Sequence, residues 1–376
     1  MPSRRVRLPL VLAAAAIPLI VAGPSSAAVV PDGGTPPTLA ATAPANAVHV
    51  SCKTGNDHNP GTPAKPLRSL SAATSRAAGK VIALARGCTW ATTVNLRGDG
   101  TRLTAYGSGS LPVIDGRSAG LRSVVLLAGR NQVIENVRVT NAQANGVEIR
   151  GANSRVRAST IDHVGVGVAF KGSGGVAERV TVRNLHMIRN TPGGNDDYGA
   201  TGFAVEASGV EIGYSSCTDC RATSHDYGHD GGFVEVWNYA DDLDVHHNTG
   251  SNTEGILEIG GDRSSSSARG IKLRHNTFRD SHGGVVLHTD GKFAIADAQI
   301  AVTANTITST GTQDPPILSG DARRVTFEGN RISTASVVSN TTPARHRCNS
   351  ITLRKGAALG YPRHSTERLD GKAPCS

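Results

Sequence analysis

The chain lacks Lys/Arg runs: its 39 basic and 30 acidic residues are scattered, so the formal net charge of +9 is spread thinly. A solvated surface fits that distribution better than a nucleic-acid footprint, and nucleic acid is not an expected partner. After residue 23 there is no apolar stretch approaching the roughly 20 residues needed to cross a bilayer, so no membrane span is expected in the mature chain. Between its short strand-like segments the sequence also lacks room for crossover helices, which argues against a βα fold.

What is present begins with an export signal. Arg4, Arg5 and Arg7 form a basic head, an apolar run follows from Leu8 to Gly23, and Ser26, Ala27 and Ala28 offer small residues for cleavage. Residues 1–28 therefore read as a signal peptide, and Ser3-Arg4-Arg5 carries only a fragment of a twin-arginine motif. Removing that segment lowers the net charge from +9 to +6, because it holds three arginines and no acid. Residues 29–47, rich in Pro, Ala and Thr, read as a linker, and the protein is expected to be secreted, extracellular and monomeric.

Six cysteines in an exported chain suggest pairing. Cys52 with Cys88 and Cys348 with Cys375 bracket the two terminal segments, where stacking secures a solenoid from one side only. Cys217 and Cys220 are a weaker pair, since so short a loop leaves less geometric freedom. A zinc reading of Cys217, Cys220, His225 and His229 meets a four-residue gap shorter than the usual finger spacing. A redox CxxC lacks its βαβ context.

Residues 121–340 repeat one unit: a short alternating strand closing on Asn or Ser, a small-residue turn, and a second strand opening on Gly. The closing residues are Asn136, Ser159, Asn184, Ser215, Asn248, Asn276, Asn305 and Asn330, at spacings of 23, 25, 31, 33, 28, 29 and 25. Short strands at that period predict an all-β, single-stranded right-handed parallel β-helix with an N-terminal capping segment. Residues 48–120 then hold the cap and first coils, and residues 341–376 the C-terminal cap. The closing Asn column is expected to be structural, tolerating the left-handed backbone and bonding the same turn in neighbouring coils.

The opening GNDHNPGTPAKPLRSLSAA, residues 55–73, together with the coils from Arg122 to about Ser339, resembles the pectate-lyase-like superfamily. The resemblance implies the fold. The superfamily holds lyases, glycosidases, esterases, epimerases and non-catalytic adhesins, and its lyase motifs do not map here residue by residue, so no site is carried over.

Two coils are longer than the rest at one corner, and their insertions align at a spacing of 29: Asp197-Tyr198-Gly199 on Asp226-Tyr227-Gly228, and Glu206 on Glu235. Loops leaving a rigid solenoid on one side form binding clefts. If Val234 and Val236 are buried, Phe233, Glu235 and Trp237 point outward; Glu258 and Glu206 do the same in adjacent coils, and His288 extends the row. Two unit charges about 5 Å apart repel by roughly 3 kcal/mol at an effective dielectric of 20, so such a row needs shared protons, a cation or solvent between its members. An aromatic beside a carboxylate suits a sugar ring and its hydroxyls.

The leading expectation is a glycoside hydrolase using Glu235 and Glu258, with Asp226 and Asp230 as alternates and Trp237, Phe233, Glu206, Tyr227, His229 and His288 as substrate contacts. A polysaccharide lyase or epimerase acting on uronates would draw its base from Lys171, His225, Tyr227, His229 or His288. Ca²⁺ held by Asp196, Asp197, Asp226 and Asp230 would suit that chemistry, although no cofactor is required by the hydrolase reading. A non-catalytic carbohydrate-binding or surface-interaction solenoid would use the same aromatic face. The expected partner throughout is a polysaccharide or oligosaccharide.

Overall fold

The computed structural model describes residues 43–44, 46–288, 295, 297–309, 311–312, 314–369, 372 and 375. The expected signal peptide and most of the expected linker lie outside the described residues.

Successive coils stack in parallel register. One ladder has twelve strands, from Val48–Val50 through Asp244–His246 to Arg345–Arg347, each hydrogen-bonded to the equivalent strand of the next coil. The other legs of the coils form further parallel ladders, including Thr201–Val205, Gly232–Trp237, Leu257–Gly260 and Val285–Leu287. This is a parallel β-helix, as the repeat predicts. One short α-helix, Leu70–Arg76, starts where the Ser69 hydroxyl accepts from the Ala72 amide at 3.1 Å and buries Leu70 and Ala73 against the first coils.

Alternate strand residues fill the interior because a strand presents every second side chain to one face. Phe203, Phe233 and Phe278 form a run of rings through three coils, with centroids 5.3 and 5.2 Å apart, all fully buried. Burying each ring stabilises the coil stack by roughly 1.5–3 kcal/mol.

The corner ladder divides two tasks that the sequence reading gave to one residue. Asn248, Asn276, Asn305, Asn330 and Asn349 are buried; the side-chain Nδ2 of each of the first four donates to the next Oδ1 at 2.9–3.1 Å, and Asn349 Nδ2 donates to Glu367 Oε1 at 2.8 Å. Each of those Oδ1 atoms also accepts the backbone N–H of the preceding ladder Asn. Ser215 continues the column by donating its backbone N–H to Asn248. The left-handed residue is the one before: Tyr214, His247, His275 and Ala304 have φ of 54–55°. Asn136 (φ 56°) belongs to that left-handed set, and Asn184 (φ 55°) to a second corner with Asn141 and His163. These two are therefore turn residues and not members of the buried ladder.

Disulfides join Cys52 to Cys88, Cys348 to Cys375, and Cys217 to Cys220, with Cα separations of 5.6, 4.9 and 6.1 Å. The last pair is formed in spite of its short loop, and it removes both thiolates that a zinc site would need. Three disulfides suit an oxidising compartment. Among the described residues, no helix is long and apolar enough to cross a membrane.

Candidate active site

The two insertions fold as antiparallel hairpins, Met187–Arg189 with Tyr198–Gly199 and Ala222–Ser224 with Gly228–Asp230. One carboxylate fastens them together. Asp197, only 5% exposed, accepts from the Thr191 amide (2.7 Å) in its own hairpin and from the Ser224 hydroxyl (2.7 Å) and Asp226 amide (3.1 Å) in the other. Burial alone would raise its pKa, but these donors outweigh it and hold the carboxyl at about 2. Asp226 reciprocates, its Oδ2 accepting the amides of Asp196 (2.9 Å) and Asp197 (3.3 Å). Asp196, Asp197 and Asp226 thus bring carboxylate oxygens within 4.8 Å of one another, and Arg189 reaches Asp196 at 2.5 Å. Tyr198 and Tyr227 stand half exposed on the hairpins. His225 is exposed and His229 half-buried.

Beyond the hairpins the chain enters the outer face of the coil. Glu235 and Glu258 are direct register partners on adjacent strands, Glu235 flanked by Val234 and Val236 and Glu258 by Leu257 and Ile259, all four turned into the core. The Thr201 hydroxyl lies 3.0 Å from Glu235 Oε2, and His288 Nε2 lies 2.8 Å from Glu258 Oε1. Asp230, at the end of the second hairpin, accepts the Gly231 amide at 2.7 Å.

The electrostatics set these acids apart. Elsewhere on the coil, acids have arginine partners: Glu148, on the same outward column as Glu235, pairs with Arg150 at 2.5 Å, Asp162 with Arg138 at 2.9 Å, and Asp244 with Arg274 at 2.8 Å. Among the described residues, no Arg or Lys forms an ion pair with Asp230, Glu235 or Glu258. Burial, then repulsion from Glu258 and Asp230, pushes the Glu235 carboxyl far above the usual carboxylate range. Burial pushes Asp230 to about 7, with Glu258 and Glu254 adding to the rise. The row therefore favours a protonated carboxylic acid beside another carboxyl group.

Trp237 stands at the next outward position, half exposed and edge-on to His288, with centroids 6.3 Å apart. Gly260 makes that pairing fit: a Cβ there would come 2.7 Å from the Trp237 ring and 2.8 Å from the His288 ring.

Two expectations fail for identifiable reasons. Phe233 is fully buried, contrary to simple alternation, and its ring packs between Phe203 and Phe278. The strand enters through Gly231 and Gly232 with φ of 116° and 157°, so both Phe233 and Val234 turn inward before alternation begins. Phe233 therefore offers no surface to a ligand. Glu206 does not stack on Glu235. The hairpin motifs align at 29, but the strands pair Thr201 with Gly232 and Ala204 with Glu235, an offset of 31. The second insertion carries two further residues, which keeps Glu206 outward but moves it beside Trp237, where it pairs with Lys171 at 2.7 Å. Lys171 is thereby engaged. Thr201 and Gly260 escaped sequence reasoning because neither residue type signals chemistry alone; only the register shows what they touch.

No protein-family model matches the chain, and no curated protein matches it in sequence. Its fold is similar to that of a tailspike protein variant of E. coli bacteriophage HK620 in complex with a pentasaccharide, at 12% identity and TM-score 0.54, covering 85% of this chain and 65% of that one. It is also similar to the catalytic domain of a GH87 alpha-1,3-glucanase variant in complex with nigerose, at 12% identity and TM-score 0.53, covering 86% of this chain and 59% of that one. At these identities the likeness is one of fold.

Proposed function

We propose that the chain is an exported glycoside hydrolase whose cleft runs over the Glu235–Glu258 row between the hairpins and Trp237. The observation that carries this reading is the register pairing of Glu235 with Glu258 on the outer face, in a row with no Arg or Lys ion-pair partner among the described residues, where burial and mutual repulsion favour a proton on Glu235. Hydrolysis of a glycosidic bond needs one carboxyl that holds a proton and one that has lost it. Glu235 is the acid: it protonates the departing glycosidic oxygen. Glu258, turned by His288, attacks the anomeric carbon as the glycosidic C–O bond breaks, and a water deprotonated by Glu235 then hydrolyses the glycosyl ester and frees Glu258. Adjacent rungs lie about 4.8 Å apart, near the roughly 5–5.5 Å carboxyl separation of retaining enzymes, so the product should keep the anomeric configuration of the substrate. Trp237 offers a flat apolar surface for a sugar ring, and Tyr227 and Tyr198 flank the opening.

The same electrostatics weigh against elimination from a uronate, which requires a cation or arginine to neutralise the substrate carboxylate. Lys171 is committed to Glu206, and Arg221 to Glu254. Tyr227 is a poor base, since burial and then Asp226 and Asp230 raise its pKa. A hard cation at Asp196, Asp197 and Asp226 would have to displace Arg189, and the proposed reaction does not use one. That the fold neighbours were solved with a pentasaccharide and with nigerose supports a glycan as the partner. The test is a panel of neutral and uronate-containing polysaccharides assayed in parallel for new reducing ends and for the ultraviolet absorbance of unsaturated products. Reducing ends without absorbance support hydrolysis; both signals together would establish elimination instead.

A further inference from the structure

The repeat segments LDVHHN and IKLRHN place three histidines on the ladder away from the glutamate row, and the proposed hydrolysis uses none of them. His246 ends the strand Asp244–His246, with its ring nearly buried. Gly213 creates the space for that ring: a Cβ at Gly213 would lie 2.7 Å from it. His246 Nε2 lies 3.1 Å from Glu211 Oε1 in the preceding coil. A carboxylate can only accept there, so Nε2 carries the proton and Nδ1 is left with its lone pair. That Nδ1 is 3.0 Å from Nδ1 of His247.

The His247 ring is held as firmly as the first. It is stacked between Tyr214, at 5.0 Å and 16°, and His275, at 5.2 Å and 20°. Its backbone has φ of 54°, and the two consecutive imidazoles bring their Nδ1 atoms side by side. His247 itself is solvent-exposed, so the space at the paired nitrogens is open to entry. Arg274 and Arg179, the nearest arginines, are engaged with Asp244 and Glu178.

We propose that His246 and His247 chelate a divalent transition-metal ion through their two Nδ1 atoms, with Glu211 as the carboxylate that orients His246. Two nitrogens 3.0 Å apart, each about 2.0–2.1 Å from one ion, subtend about 94°. That near-right angle is a cis arrangement, which fits a tetragonal ion with nitrogen and oxygen ligands such as Cu²⁺ or Ni²⁺ better than tetrahedral Zn²⁺, with water completing the shell. The carboxylate–imidazole pairing is the outer shell such a ligand commonly has.

The test is a titration of Cu²⁺ into the full chain after stripping with EDTA, followed by calorimetry and by electron paramagnetic resonance. One ion should bind with at least two imidazole nitrogens in its coordination shell. His247→Gln, an exposed change that leaves the Gly213 packing intact, should weaken the site tenfold or more, and Glu211→Gln should weaken it about 10- to 100-fold without removing a ligand. Melting curves on the same samples establish that each variant is folded. A wild-type spectrum with fewer than two imidazoles, or Cu²⁺ affinity unchanged in His247→Gln, would overturn the proposal and leave the pair as a hydrogen bond between neutral rings.

Discussion

Glu235 and Glu258 are direct register partners on neighbouring strands, and burial together with their repulsion favours a proton on Glu235. Such a proton has a cost in stability that depends on pH. The folded pKa of Glu235 lies above its unfolded value of 4.5, so its contribution is fully present below pH 4.5 and declines as the unfolded chain ionises at higher pH. Glu235→Gln removes this decline. The variant should match wild type near pH 4.5 and melt about 1–3 °C higher at pH 8, as read by calorimetric scans at both values. A variant that is less stable at pH 8 would point to a structural hydrogen bond instead.

Gly260 separates the binding surface from the acids. In Gly260→Ala the new Cβ would press first on the Trp237 and His288 rings. Trp237→Ala and Gly260→Ala should each raise KM about tenfold, the equivalent of about 1.4 kcal/mol of stacking, with a smaller change in kcat for Trp237→Ala. Tryptophan fluorescence of Gly260→Ala should shift, reporting the moved ring. Unchanged KM in both variants would place the sugar elsewhere.

Asp197 joins the two hairpins, and its low pKa sets the window in which it does so. Its folded value of about 2 lies below the ordinary 3.8, so its stabilisation is present above pH 3.8 and is lost as pH falls towards 2. Asp197→Asn should leave the coil melting temperature nearly unchanged while speeding amide hydrogen exchange in residues 190–197 and 222–230 at pH 7. Exchange rates equal to wild type would show that the hairpins hold without it.

The asparagine ladder offers a test of the fold. Asn276 donates to Asn305 Oδ1 and to the Val245 carbonyl, and accepts from Asn248, all in the interior. Asn276→Ala strands those groups and should cost about 3 kcal/mol, seen as a lower urea midpoint. An unchanged midpoint would mean that water replaces the side chain.

Much of this architecture was legible because a strand has a strict period of two. Once Val234, Val236, Leu257 and Ile259 were assigned to the interior, Glu235 and Glu258 had to face outward together. The errors came where backbone geometry breaks the period. Gly231 and Gly232 let two consecutive residues turn inward and so hide Phe233, and a two-residue difference between insertions moves Glu206 beside Trp237 without changing its face. The corner shows the same limit. Asn136 and Asn184 look like ladder residues by spacing, but only φ separates the residue that makes the turn from the one that bonds across it. Which acid of the row favours the proton was unreadable in sequence, since that depends on burial, on repulsion from Glu258 and on Asp230 arriving at the end of a hairpin.

The most direct measurement of the central claim is turnover of Glu235→Gln and Glu258→Gln on a glycan that the wild-type protein cleaves, with binding of the same glycan and melting followed in parallel. Both changes are nearly isosteric and on the outer face. Each variant should lose at least a thousandfold in kcat while still binding the glycan and melting at or above the wild-type temperature. Turnover near the wild-type rate in both variants, or loss of activity that follows only from unfolding, would contradict the assignment of this pair as the catalytic carboxyls.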